Sequence, residues 1–446
     1  MTAALAMGAA FLVLLLARVP VSFAIGLAAF LGFALTPDPF DARESFALLT
    51  GMTGTLKQNP LVAIPFFILA GQIMGRGGVA RRLVELSRGL LAGVRGGTSQ
   101  VNVLSSLFFG GISGSAVADV SSIGSILLPI MEEEGYEPEY STAITVTSAT
   151  LGLILPPSNV MILFAVIAGG VALPAGNTKL AVGVDTMFLA GVVPGLAVAV
   201  TLMLLCAVQA RLRGHPRGQW PGFRELARRA IAALPALAIV WVILGGILFG
   251  WTLTYEAAAL AVVGAAAAGV FVYRELAIAD LPALLADAVV TTGVVFFLIA
   301  TSSAMSAVLL QANIDQLLLE VLTGLTSNPL VFLVLLNVVA LTMGLFLDLT
   351  PALLILTPLF LPVAVSYGIH PVHFGVVLLV NLCIGLCTPP VGSCLFVGSA
   401  IAGVPIERVT RALLPFYAAL LVALALITLF PALSLWLPSL FAEARS

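Results

Sequence analysis

The chain has 446 residues, 61% of them hydrophobic and only 9% charged, with a mean hydropathy of +1.16 and a formal net charge of -2. A soluble chain of this length carries about a quarter charged residues, so a water-soluble globular enzyme is excluded. Nucleic-acid binding is excluded too, because no basic run is present.

Apolar runs of roughly 18 or more residues recur from end to end, which predicts an all-α polytopic membrane protein. The first stretch, MTAALAMGAAFLVLLLARVP, has no Lys or Arg ahead of its apolar run. It reads as a retained first span, not a cleaved signal peptide. The first apolar block, 1–58, is followed by a second over 60–170 that holds a polar stretch near 76–97 and the acidic turn EEEGYEPE at 132–139. A span at 184–210 leads into a second polar, Arg-rich stretch near 211–229. Further spans are predicted at 232–250, 255–272, 288–311 and 412–438, with a helical hairpin at about 329–365.

Two long apolar runs contain a Pro-Pro pair, GLILPPSNV at 152–160 and GLCTPPVGS at 385–393. Proline removes a backbone donor and clashes with the preceding helical turn, so both runs must break. A shift of 233 residues lays 127–160 on 360–393 without a gap, and Pro129, Pro138, Pro156 and Pro157 fall on Pro362, Pro371, Pro389 and Pro390. Gly135 and Gly152 fall on Gly368 and Gly385. Upstream, FFILA at 66–70 resembles FFLIA at 296–300. The chain therefore reads as two related repeats.

Charge sets their relative orientation. Arg76, Arg81, Arg82, Arg88 and Arg95 form one cluster, and Arg211, Arg213, Arg217, Arg224, Arg228 and Arg229 a second. Both are cytoplasmic by the positive-inside rule. Tracing outward, 98–131 must leave and return on the cytoplasmic side as a re-entrant hairpin, whereas 329–365 enters from outside. The repeats are inverted and both termini fall outside. This places 15 of the 19 Lys and Arg inside, leaving Arg43, Lys57, Lys179 and Arg445 outside.

Inverted repeats with paired discontinuous helices are the signature of secondary transporters. Non-helical backbone at membrane depth survives only where protein or a polar cavity satisfies it. Carbonyls freed ahead of the first break, at Gly152, Leu153, Ile154 and Leu155, carry partial negative charge and suit a hard cation such as Na⁺. The hairpin tips GGISGSAVAD (110–119) and MGLFLDLTP (343–351) add Ser113, Ser115, Asp119 and Asp348, with Asp348 equivalent to Ser115. An ionisable residue at membrane depth is a functional candidate. The alternative role for Asp119 and Asp348 is to cap the second helix of each hairpin. His370 and His373 lie in the outer loop and do not read as a metal pair. No nucleotide-binding or hydrolase motif occurs in usable context, so ATP-driven transport by this chain is excluded and no enzyme activity is expected.

The segments NPLVAIPFFILAGQIMGRGG, GGISGSAVADVSSIGSILLPIM, LGLILPPSNVMILFA, GLFLDLTPALLILTPLFLPVA and GIHPVHFGVVLLVNLCIGLCTPPVGSCLFV resemble the large membrane subunit of tripartite ATP-independent periplasmic (TRAP) transporters over nearly the whole chain. The resemblance implies an elevator-type carrier of the bacterial inner membrane that imports an organic acid such as a dicarboxylate or sialic acid. It implies Na⁺ symport, delivery by a periplasmic substrate-binding protein, and a separate small four-helix membrane subunit. The alternative is a stand-alone Na⁺- or H⁺-coupled anion carrier of the same fold. Cys387, ahead of Thr388, departs from the small apolar or hydroxyl residue usual there.

On this reading 1–215 is the first inverted repeat, with scaffold spans at 1–58, transport spans and hairpin at 60–170, and a scaffold span at 184–210. A basic cytoplasmic linker, 216–231, precedes the second repeat at 232–446, divided into scaffold 232–272, transport 288–403 and scaffold 412–438. The expected Na⁺ ligands, for two or more ions, are drawn from Ser113, Ser115, Asp119, Gly152, Leu155, Pro156, Gly344, Asp348, Gly385 and Thr388. The expected substrate-facing groups are Ser113, Ser115, Asn159, Asp348 and Thr388.

Overall fold

The structure, a computed structural model, describes residues 2–35, 50, 52–171, 182–312 and 314–443. Arg43, Lys179 and Arg445, expected on the outer side, lie outside the described residues. The described residues are all-helical, with seven helices long and apolar enough to cross a membrane, or up to nine if each of two bent pairs counts as one span.

In chain order, α1 (Thr2–Leu16) and α2 (Val21–Ala34) form an antiparallel pair turned at Arg18. Next come α3 (Ala63–Arg76) and α4 (Val79–Leu91), bent by 65° at Gly77–Gly78. Helices α5 (Gly97–Ser113) and α6 (Ala116–Glu133) form a hairpin with a two-residue tip. Gly114 takes a φ of +58° at that tip, a conformation that favours glycine. The first Pro-Pro run is α7 (Pro138–Ser148), α8 (Leu151–Ile154) and α9 (Asn159–Gly170), bent by 44°.

Then follow α10 (Val184–Leu212), α11 (Phe223–Leu248), α12 (Thr254–Ala267), α13 (Leu281–Gln311) and α14 (Ile314–Leu325). Helices α15 (Pro329–Phe346) and α16 (Leu349–Ser366) form a second hairpin with a two-residue tip. The second Pro-Pro run is α17 (Pro371–Gly385) and α18 (Ser393–Ala402), and α19 (Ile406–Leu429) and α20 (Ala432–Glu443) end the described chain.

Every residue of α17 is buried, as expected for a helix that is apolar all round. It packs among α9, α10, α15, α16 and α19 and so forms the centre of the molecule. Helices α11, α13 and α15 instead turn large apolar side chains outward, among them Trp241, Val290 and Val334.

Five ion pairs join segments that are distant in sequence: Arg76–Asp287, Arg82–Glu275, Arg88–Glu134, Arg213–Glu137 and Arg408–Glu139. They gather the 76–97 stretch, the acidic turn, the end of α10 and the first turn of α19 on one face. Glu134 also accepts from the Thr98 hydroxyl, which ties the end of α6 to the start of α5. In the second hairpin, Tyr367 donates to the Thr326 carbonyl (2.8 Å) and stacks on Phe332 with centroids 4.9 Å apart. Both hairpins thus have their open ends held together.

Four segments differ from expectation. The polar 76–97 stretch contains a helix, α4, whose Val79, Leu83, Val84 and Leu86 are buried at helical spacing while Arg81 faces outward. The basic stretch read as the linker 216–231 is half helix, because α11 already begins at Phe223. An unexpected helix, α14, precedes the second hairpin. The span expected over 412–438 divides at Phe430–Pro431 into α19 and α20, since proline cannot continue the ladder.

Candidate functional site

Each hairpin meets a broken helix through a pair of glycines. A Cβ added to Gly110 would lie 2.4 Å from the Cα of Gly152, and one added to Gly385 would lie 2.7 Å from the carbonyl oxygen of Gly344. Backbones approach this closely only without side chains. Both Pro-Pro peptide bonds, Pro156–Pro157 and Pro389–Pro390, are cis.

The first tip lies on the first break. Cβ atoms at Gly111 and Gly114 would sit 3.1 Å and 3.3 Å from the carbonyl oxygens of Pro156 and Pro157. Gly114 also faces the amide nitrogen of the Asn159 side chain, and the Asn159 Oδ1 is buried without a hydrogen-bond partner. At the second tip Asp348 accepts from the Ser393 hydroxyl (3.2 Å), linking that tip to the far side of the second break.

A cavity of about 240 Å³ lies where these parts converge. Ser115, Asn159, Asp348, Thr350, Leu386 and Ser393 face it, so both tips and both breaks contribute. Thr291 and Val295 of α13 close its wall. The cavity is mixed in character: apolar walls carry a few polar groups, as in a small-molecule site.

Ser113 is buried at the end of α5, its hydroxyl 3.4–3.5 Å from the Ser115 backbone. Gly152 and Leu155 are buried, with Leu155 extended at the break and the Pro156 carbonyl facing Gly111. Gly344 and Gly385 are spent on their mutual contact. Thr388 does not line the cavity, and its hydroxyl donates to the Ile384 carbonyl at 2.7 Å.

The two breaks differ. At the second, Gly385, Leu386, Cys387 and Thr388 carbonyls accept from Thr388 N (2.9 Å), Cys394 N (3.1 Å), Tyr417 OH (2.7 Å) and Gly392 N (3.0 Å). At the first, the Ser158 hydroxyl takes the Leu153 carbonyl (2.7 Å), so that expected ligand is already used.

The capping role divides between residues. Ser115 is the N-cap of α6 and accepts from Ala118 N at 3.3 Å, so Asp119, one turn later, is not the cap. Asp348 does occupy the N-cap position of α16. Asp119 is fully buried, and neither carboxylate oxygen has a hydrogen-bond partner within 3.5 Å, although the Ser106 hydroxyl faces it.

Ser106 belongs to a buried chain that sequence reading missed. Its hydroxyl donates to Ser148 (3.2 Å), Ser148 donates to Asn102 Oδ1 (2.8 Å), and Asn102 donates to Thr145 (2.7 Å). These residues come from α5 and α7 and carry no motif. Their only sequence signal is polar residues recurring within apolar runs.

The comparisons agree with this architecture. The family described as "Tripartite ATP-independent periplasmic transporter, DctM component" matches residues 9–433. An uncharacterized protein, YgiK of Salmonella typhimurium, is 42% identical over 436 residues, covering 97% of each chain. The C4-dicarboxylate TRAP transporter large permease protein DctM of Pseudomonas aeruginosa is 37% identical over 406 residues, 91% of this chain and 92% of that protein. The crystal structure of the YdaH transporter of Alcanivorax borkumensis superposes with a TM-score of 0.66 over 95% of this chain and 98% of that one, at 16% identity, a likeness of fold alone. With its long apolar helices, paired hairpins and Pro-Pro breaks, this chain is a multi-pass membrane protein that belongs to the DctM family of TRAP transporter large permease components.

Proposed function

We propose that this chain is the inner-membrane permease that imports a small organic acid together with Na⁺, receiving it from a periplasmic substrate-binding protein and working beside a separate small four-helix membrane subunit. The observation that carries this reading is the cavity that both hairpin tips and both helix breaks share. A relative over almost the full length is named for C4-dicarboxylate, which makes a dicarboxylate the first substrate to test, ahead of sialic acid.

The repeats are taken as inverted and the hairpins as re-entrant. Supporting this are the tied open ends, the meeting of the tips, and the equivalent N-cap positions of Ser115 and Asp348. The Arg-rich loops gathered by ion pairs on one face are assigned to the cytoplasm, with both termini outside. Residues 60–170 and 288–403, which hold both hairpins and both breaks, are assigned to transport, sliding as an elevator against a scaffold of 1–58, 184–210, 232–272 and 412–438.

Na⁺ is assigned first to the first half. There the Pro156 and Pro157 carbonyls face the hairpin tip, Ser113 and Ser115 supply hydroxyls, and Asp119 supplies charge. In the second set, Gly344, Asp348, Gly385 and Thr388, the Gly385 and Thr388 carbonyls already accept backbone hydrogen bonds and Asp348 accepts from Ser393, so a second ion there requires these groups to exchange partners. The substrate carboxylates are assigned to Ser115 and Asn159. The test is uptake of a labelled C4-dicarboxylate into proteoliposomes holding this chain and its small subunit, with and without the binding protein. Uptake that needs the binding protein and an inward Na⁺ gradient supports the reading. Equal uptake by this chain alone favours the stand-alone carrier.

A further inference from the structure

A second cavity, of about 440 Å³, lies far in sequence from the hairpin tips. It is formed by α4, the start of α5 and the segment between α10 and α11, and Arg88, Arg217 and Arg229 all line it. The segment is firmly seated there. Arg95 and Arg217 form an antiparallel bridge, Gly96 N donates to the Pro216 carbonyl (2.9 Å), and Arg217 Nε donates to the Gly93 carbonyl (2.7 Å).

Charge within the cavity is unbalanced. Glu134 is its one acidic lining residue among those described, and it pairs with Arg88 at 3.2 Å. Arg229 binds Glu225 at 2.9 Å, but Glu225 also serves Arg228. Glu85 pairs with Arg81 at 3.4 Å. Arg217 has no carboxylate partner among the described residues. Gly97 and Thr98, the first turn of the 17-residue α5, also face the cavity, so the positive end of that helix adds to the arginines. Glu134 already reaches this turn through the Thr98 hydroxyl, so the geometry accepts an anionic oxygen.

We propose that this crevice binds a phosphate group, and that the source is the headgroup of an anionic lipid. Guanidinium groups match phosphate in a two-bond geometry. The source follows from the rim. Trp220 and Phe223 are exposed beside the cavity, packed edge to face with centroids 5.9 Å apart, where the apolar spans α10 and α11 end. Exposed aromatic residues at that level mark the headgroup region. A bound phosphate bridging Arg88 and Arg217 would fasten the α10–α11 segment to α4.

The test uses the purified full chain, delipidated and titrated separately with phosphatidylglycerol and phosphatidylcholine, with bound lipid read by native mass spectrometry. Phosphatidylglycerol should be retained at least about fivefold over phosphatidylcholine. Arg217→Gln should abolish that preference and Arg217→Lys should weaken it, while the outlying Arg224→Gln keeps most of it. In a second arm, thermal unfolding in detergent is followed against inorganic phosphate. A rise in Tm with phosphate that Arg217→Gln removes, without any lipid preference, would keep the phosphate site and overturn the lipid as its source. If neither lipid nor phosphate distinguishes wild type from Arg217→Gln, the site does not exist. Should Arg217→Gln not purify as a monodisperse protein, Arg229→Gln is read in its place.

Discussion

Gly110 and Gly152 touch backbone to backbone, so the first hairpin rests directly on the helix that breaks at Pro156. Gly344 and Gly385 repeat the contact in the second half. These contacts fix the depth at which each tip meets its break.

Filling that contact should therefore damage the site. Gly110→Ala places a methyl 2.4 Å from the Gly152 Cα, which backbone cannot vacate cheaply. Overpacking of this kind costs about 1–3 kcal/mol. Tm should fall and uptake should drop several-fold, whereas Gly169→Ala, with open space around it, should change neither. Equal behaviour of the two variants would mean the close approach is not structurally important.

Asp119 separates an ion-site role from a structural one. Ser115 already caps α6, so losing the carboxylate should not unravel the helix. A buried unpaired carboxylate is costly, and burial with a cation or a proton relieves that cost. Asp119→Asn and Asp119→Ala should both purify normally yet lose most Na⁺-driven uptake. Near-normal uptake by Asp119→Asn would remove Asp119 from the cation site.

His215 gives the ion-paired face a pH dependence. Its ring is buried against Tyr136 and Tyr140, with centroids 4.3 Å and 5.0 Å away, and burial and the Arg213 guanidinium lower its pKa while Glu137 opposes them. A folded-state pKa below the ordinary value of about 6.5 means that protonation favours release of the ring. The contact is fully stable above that value and weakens as pH falls below it. Hydrogen exchange over 213–221, corrected for intrinsic rates, should speed up on moving from about pH 7.5 to about pH 5.5. His215→Phe should flatten the response. Protection that is the same at both pH values in the wild type would rule this out.

The proposed inversion of the repeats predicts opposite labelling. All four native cysteines are buried, so single introduced thiols can be read cleanly. In sealed cells an impermeant reagent should modify a thiol at Ser327, at the open end of the second hairpin, but not one at Arg217. The reverse pattern would invert the orientation, and labelling of both sites alike would contradict inversion itself.

Much of this was legible in the sequence because proline and glycine act locally. Pro156–Pro157 and Pro389–Pro390 announce the breaks wherever the chain goes next. The shift that aligns them also pairs Ser115 with Asp348, and both prove to be N-cap residues. What was not legible depends on tertiary partners. Nothing local tells that Asn102 and Ser106 will meet Thr145 and Ser148, or that Tyr417 will donate to Cys387 across 30 residues. The second break therefore read as an open ligand set, although its carbonyls are already bonded. Helix α4 was hidden for another reason: its four charged residues outweighed a buried face that only a 3.6-residue period exposes.

The most direct measurement is dicarboxylate uptake into proteoliposomes carrying the permease with its small subunit and binding protein, driven by an inward Na⁺ gradient and compared with K⁺ in its place. Wild type should accumulate substrate only with Na⁺, with a steep dependence on its concentration, and Ser115→Ala should need more Na⁺ for the same rate. Uptake that is equally fast in K⁺, or a Na⁺ dependence that Ser115→Ala leaves untouched, would contradict a coupled site at the first hairpin tip.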